Sequence, residues 1–270
     1  MNTKIKRIKE FFQKLTAALK KDDIFSAAND LTYRIFFSAF PFAIFLMSIM
    51  GFMHLDEKLL TEQLVYILPD IVNNYAEPFI NQITNRRDAN ILSFSLIVAI
   101  YSASSGFRTV TRSINKAYGL KDTRKFYFKL LISIALVLIF GGIIILCFVL
   151  LIFGNIIFYA ILPGNYIFLF NILRYIISVI ILFFSVILIN KIALFKIRKS
   201  PLKNLFFGTL FTCASWIAAS MLFNIYIYNF SNFSVLYGSV GAVIILMLWI
   251  NIMCISLLIG SVINAILEHP

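Results

Sequence analysis

Apolar residues run along this chain in blocks about 20 residues long, the length a helix needs to cross a bilayer core of roughly 30 Å. Six such blocks are legible, at about 31–53, 90–107, 130–155, 167–190, 205–228 and 236–265. The second is the shortest, because YSASSG at 101–106 is small and polar. Outside the blocks the period changes. In TKIKRIKEFFQKLTAALK (3–20), Ile5, Ile8, Phe12, Leu15 and Leu19 recur at three- and four-residue steps with lysines opposite. That spacing predicts a basic amphipathic helix lying in the membrane interface. EKLLTEQLVYILPD (57–70) and AEPFINQITN (76–85) predict two short helices forming a cap, about 54–89, over the bundle, the first ended by Pro69. RTVTRSINKAYG (108–119) predicts that the second span runs on as a helix into water and stops at Gly119.

The fold class expected is therefore all-α: a polytopic integral membrane bundle of six transmembrane helices with short amphipathic helices outside it. Its segments are a basic amphipathic stretch (1–30), a transmembrane domain (31–265) and a short tail (266–270).

Composition agrees. The 270 residues are 61% hydrophobic and 13% charged, with 29 phenylalanines, against roughly 45–50% and about 25% in soluble chains. The net charge of +12 would point to nucleic acid in a soluble protein, but here it follows the topology. Segments 1–21, 108–129 and 191–203 hold nineteen lysines and arginines, whereas the first outer loop holds Lys58, Arg86 and Arg87 against six acids. Basic connections stay on the cytoplasmic side, so both termini are expected inside a cell (plasma) membrane. The partners expected are membrane lipids and anionic inner-leaflet headgroups, with no nucleic acid. Cys147, Cys213 and Cys254 lie within spans and form no C-x-x-C pair, so no cofactor or metal is expected.

A few residues break the apolar pattern. Asp30 and Arg34 are one helical turn apart and placed to pair, and Asp30 is expected near the helix start, where the dipole favours an anion. Pro41 frees the carbonyl of Phe37, which Ser38 is placed to satisfy. The group reads either as an interface pair beside a packing kink or as the lining of a cytoplasmic vestibule. Arg174 lies about seven residues, or about 10 Å, into the fourth span. It either reaches outward to headgroups or to an acid of the outer loop, or faces a water-filled cavity, where it would favour an anionic passenger or headgroup. Gly208, Thr212, Ser215 and Ala219 line one stripe of the fifth span, and Gly238 and Gly241 open the sixth. Small residues so placed either let helices approach closely or border a polar groove.

AANDLTYRIFFSAFPF (27–42), SASSGFRTVTRSINKAYG (102–119), SNFSVLYGSVGAVIILMLWI (231–250) with Tyr237, Gly238, Gly241 and Trp249, and then Gly260 and Asn264 together resemble the YihY/BrkB family of bacterial inner-membrane proteins. The resemblance runs along most of the chain. It implies a six-span helical protein of the plasma membrane, and it brings the labels "virulence factor" and "ribonuclease BN" with it. The residues speak against the second label. Metal-dependent RNA cleavage needs clustered His and carboxylate ligands, and the two histidines, His54 and His269, fall on opposite sides of the expected topology. The expected function is a non-enzymatic transporter or lipid-handling protein with a polar groove between helices. The alternatives are an envelope scaffold or interaction protein and, behind these, a ribonuclease.

Overall fold

The computed structural model of the chain describes residues 2–52, 89–139, 141–143, 167–195, 201–229 and 233–268. These form helices α1 (Asn2–Lys21), α2 (Ile24–Phe52), α3 (Ala89–Ala117), α4 (Phe126–Ile143), α5 (Ile167–Ala193), α6 (Phe206–Asn229) and α7 (Phe233–Glu268). A 3-10 turn, Leu202–Leu205, precedes α6. No strand occurs among the described residues. The expected outer cap and the second half of the third apolar block lie outside them.

Five helical stretches among the described residues are long and apolar enough to cross a membrane: Asn90–Ala117, Phe126–Ile143, Ile176–Ala193, Leu202–Tyr226 and Val243–Glu268. They coincide with the second to sixth apolar blocks. The first block lies in α2, a 29-residue helix with Pro41 inside it. Between 18% and 33% of each span is buried within the protein, so most of its apolar surface faces outward. Phe94, Ile97, Leu131 and Leu222 are examples, each at least 65% exposed. In water this surface would be untenable; in lipid it is the solvated face.

Local chemistry sets the helix ends. Asp23 adopts φ 49° and separates α1 from α2. Because that turn comes early, α2 starts at Ile24 and Asp30 is its seventh residue. The expected placement of Asp30 at the helix start is thus corrected: no acid lies in the first turn, and the dipole contributes little so far along. Ser38 is corrected too. Its hydroxyl donates to the Ile35 carbonyl at 2.8 Å, not to that of Phe37. At the end of α3, Gly119 takes φ +65°. Its N–H donates to Lys116 O and that of Leu120 to Asn115 O, both at 2.9 Å, the Schellman arrangement that stops a helix.

Helix α1 does not lie wholly against the interface. Leu15, Ala18 and Leu19 pack on the core while Phe12 points away, 58% exposed. Lys116 Nζ donates to the Asp22 carbonyl at 2.7 Å, joining the α1–α2 turn to the end of α3. Burial pushes the Asp22 carboxyl above its ordinary pKa, with Lys116 and Lys21 opposing. In the α3–α4 turn, Arg124 donates to both Asp122 oxygens at 2.7 and 2.8 Å.

Among the described residues, the tightest helix contact is the crossing of α6 and α7. A Cβ on Gly208 would fall 2.5 Å from Asn264 and closer still to the Gly260 carbonyl oxygen; one on Gly260 would fall 2.5 Å from Gly208 O. Backbone cannot retreat as a side-chain tip can. Gly208→Ala and Gly260→Ala are each expected to cost at least about 1–3 kcal/mol, the usual range for overpacking. Gly106→Ala, whose Cβ would meet only atoms 3.9 Å or farther away, is expected to be nearly neutral. Thermal unfolding in detergent checks the ranking. Equal losses at all three positions would contradict it.

Partial burial alone would raise the Asp122 pKa, but hydrogen bonds and charge from Arg124, with Lys129, hold it below the ordinary 3.8. The unfolded chain then binds that proton more tightly. The stability this carboxylate contributes is complete above 3.8 and falls away as the pH drops through that value toward the folded pKa. The gap in melting temperature between wild type and Asp122→Asn is therefore expected to narrow on acidification from about pH 6 to about pH 3. A constant gap would contradict this.

Candidate functional site

Helix α2 meets α3 and α7 along a seam of polar side chains. On α2, Asp30 Oδ1 accepts from Arg34 Nε at 2.9 Å. From α3, Ser105 Oγ accepts from Arg34 Nη1, and Thr109 Oγ1 donates to Asp30 Oδ2 at 3.4 Å. Each charge of the pair thus has a partner on its own helix and another on α3. Gly106 sits beside this point, its missing Cβ facing Leu31, Arg34 and Ile35. Arg108, one turn further on, donates to Ser104 Oγ at 3.0 Å.

On the other side of α2, Asn251 of α7 donates from Nδ2 to Asn29 Oδ1 at 2.8 Å and to Thr32 Oγ1 at 3.1 Å. Thr32 in turn donates to the Ala28 carbonyl at 2.7 Å. Two polar lines therefore flank one stretch of α2, binding it to both neighbours. The ion pair is not sealed within them. The Arg34 and Asp30 side chains are 38% and 44% exposed, so the described helices cover neither completely. By helical rise, Asp30 and Arg34 lie about 9 and 15 Å along α2 from Ile24.

A second polar group holds α5, α6 and α7 and is buried. Asn264 Oδ1 accepts from the Gly208 N–H at 2.7 Å. Thr212 donates to Gly208 O at 2.9 Å and to Ser256 O at 3.3 Å. Trp216 donates to Met253 O at 2.9 Å, and Ser261 to Asn190 Oδ1 at 2.9 Å. This group is a clamp rather than a reactive centre. It contains no ionisable side chain, and close approach with hydrogen bonding is what such residues supply between membrane helices.

The sequence-derived residues therefore separate into two places. Asp30 and Arg34 lie in the seam, with Ser38 one turn beyond and Pro41 within the same helix. Gly208, Thr212 and Asn264 meet at the α6–α7 crossing, and Ser215 lies on the same helix, partly buried. Gly241 is buried on α7. Arg174 is the eighth residue of α5, and Tyr237 and Gly238 fall near the start of α7; the side-chain surroundings of these three lie outside what is described. Asn29, Thr32, Ser105, Thr109 and Asn251 were not singled out from the sequence. Asn251 carried a signal nonetheless: an amide inside LMLWINIMC needs a partner in an apolar surrounding.

The family model described as Virulence factor BrkB matches residues 15–270. The chain is 30% identical, over 251 residues, to the provisionally named ribonuclease-like protein YfkH of Bacillus subtilis (strain 168), covering 90% of each chain. No solved structure matches.

Where water reaches an ion pair it gains little, because screening and side-chain entropy offset the Coulomb attraction. A double-mutant cycle with Asp30→Asn and Arg34→Gln is expected to give a coupling of about 0.2–1 kcal/mol that weakens with added salt. A coupling of several kcal/mol, insensitive to salt, would show the pair to be dry.

Proposed function

The chain belongs to the Virulence factor BrkB family, and on that footing we propose a transport or lipid-handling protein of the plasma membrane that works without covalent chemistry. In this reading six helices span the membrane, α2 included, with both termini cytoplasmic and residues 54–89 on the outer side. The alternation of basic and acidic connections along the chain supports that orientation.

The observation that carries the reading is the half-exposed pair Asp30–Arg34, partnered across α3 by Ser105 and Thr109. Charges cost about 2.5–3.5 kcal/mol each at the centre of a spanning helix and less toward its ends, and they mark substrate or ion pathways by default. Both side chains keep surface that the described helices do not cover, which leaves the pair able to meet a ligand. Arg34 is the anion-attracting group of the seam, and Asp30 holds its guanidinium in place. Arg174 attracts the same anionic passenger from the outer half.

The relative's name brings a ribonuclease reading with it. The described residues favour it less, since they hold no group of three His, Cys, Asp or Glu able to share a metal ion. The one carboxylate of the seam is already engaged by Arg34 and Thr109.

The test is reconstitution into vesicles carrying a fluorescent phosphatidylglycerol analogue, with an impermeant quencher reporting movement between leaflets. Wild type is expected to equilibrate the leaflets faster than protein-free vesicles. Arg34→Ala should slow this about tenfold, the weight of one charge-assisted contact. Wild-type vesicles that move neither lipid nor an anionic solute faster than protein-free ones would overturn the reading.

A further inference from the structure

Where α3 ends and α4 begins, the chain forms an open-sided cavity of ≈ 240 Å³ lined by Arg108, Arg112, Arg124 and Lys129, with Asp122 as its acid. One carboxylate cannot balance four cations. Asp122 is also occupied, taking both of its close hydrogen bonds from Arg124 and lying 3.6 Å from Lys129. Arg124 is rigidly held: its side chain is 5% exposed, and it also donates to the Phe195 carbonyl at the end of α5 at 3.4 Å. Arg108 is steadied by Ser104, whereas Arg112 is exposed. The N-terminal end of α4, the positive end of its dipole, opens on the same space through Phe126.

With Arg124 spent on Asp122 and Phe195, Arg108 and Arg112 beside a lysine and a helix N-terminus are the donors left for phosphate oxygens. From Phe126 at its edge the surface turns apolar outside the cavity, with Tyr127 and Leu131 each at least 65% exposed. We propose that this cavity binds a phosphate group, and that the group is the headgroup of an anionic phospholipid whose chains lie along α4. The placement beside the inner leaflet rests on the topology proposed above; the binding itself does not depend on transport. The cavity is distinct from the seam, since it shares none of Asp30, Arg34, Ser105 or Asn251.

Lipid retention by the full chain in neutral detergent, read by native mass spectrometry, tests the assignment. Wild type is expected to retain phosphatidylglycerol about tenfold more tightly than phosphatidylcholine. Arg112→Gln should remove most of that preference, one charged hydrogen bond being worth about that factor. Lys203→Gln, an exposed cation in the turn before α6, should leave it unchanged. Inorganic phosphate is the second arm. Displacement of the lipid by millimolar phosphate, with Arg112→Gln abolishing phosphate binding, would make free phosphate the ligand and overturn the lipid assignment. Equal retention of the two lipids, or an Arg112→Gln protein with full preference, would overturn the site. A protein that binds phosphatidylglycerol here but moves nothing between leaflets keeps this site and loses the transport reading.

Discussion

Helices in lipid gain nothing by hiding apolar side chains from one another, because the surrounding chains are as apolar as they are. What holds this bundle together must therefore be close backbone approach and hydrogen bonds between helices, and α7 is the element on which both converge. At one face it meets α6 through Gly208 and Gly260, with Asn264 receiving the Gly208 N–H. At another it binds α2 through Asn251, and at a third Ser261 reaches Asn190 of α5. Without these contacts, the outward-facing apolar residues would be equally content against lipid in any arrangement.

The same constraint gives the two polar groups different characters. The α6–α7 clamp is neutral, buried and tightly packed, which makes it rigid. The α2–α3 seam contains formal charges that the described helices only partly cover. The basic cavity at the α3–α4 turn extends this division, for α3 contributes Ser105 and Thr109 to the seam and Arg108 and Arg112 to the cavity. A headgroup held at the cavity would lie at the end of the helix that partners Arg34.

Much of this was legible in the chain itself. Blocks of apolar residues become helices because no other backbone structure satisfies its own hydrogen bonds in an open lipid environment, save a closed barrel. The four-residue step from Asp30 to Arg34 and the stop at Gly119 are local, so spacing alone reveals them. The partners were not legible. Nothing along α3 says that Ser105 turns toward Arg34 rather than toward lipid, and nothing along α7 says that Asn251 meets Asn29. Those facts depend on how helices are rotated against each other. The early start of α2 was hidden for a related reason: Asp23 takes a left-handed turn with no glycine to advertise it.

Access of water to the seam from the cytoplasmic side is what separates a working site from a packing device. It can be read by placing a cysteine at Ser105 in a chain whose native cysteines are replaced, then adding a charged, impermeant thiol reagent to either face of sealed membrane vesicles. Ser105→Cys is expected to react only from the cytoplasmic face, while Phe94→Cys, on the outward apolar surface of the same helix, stays unmodified. Protection of Ser105→Cys from both faces, or modification from the outer face alone, would contradict it.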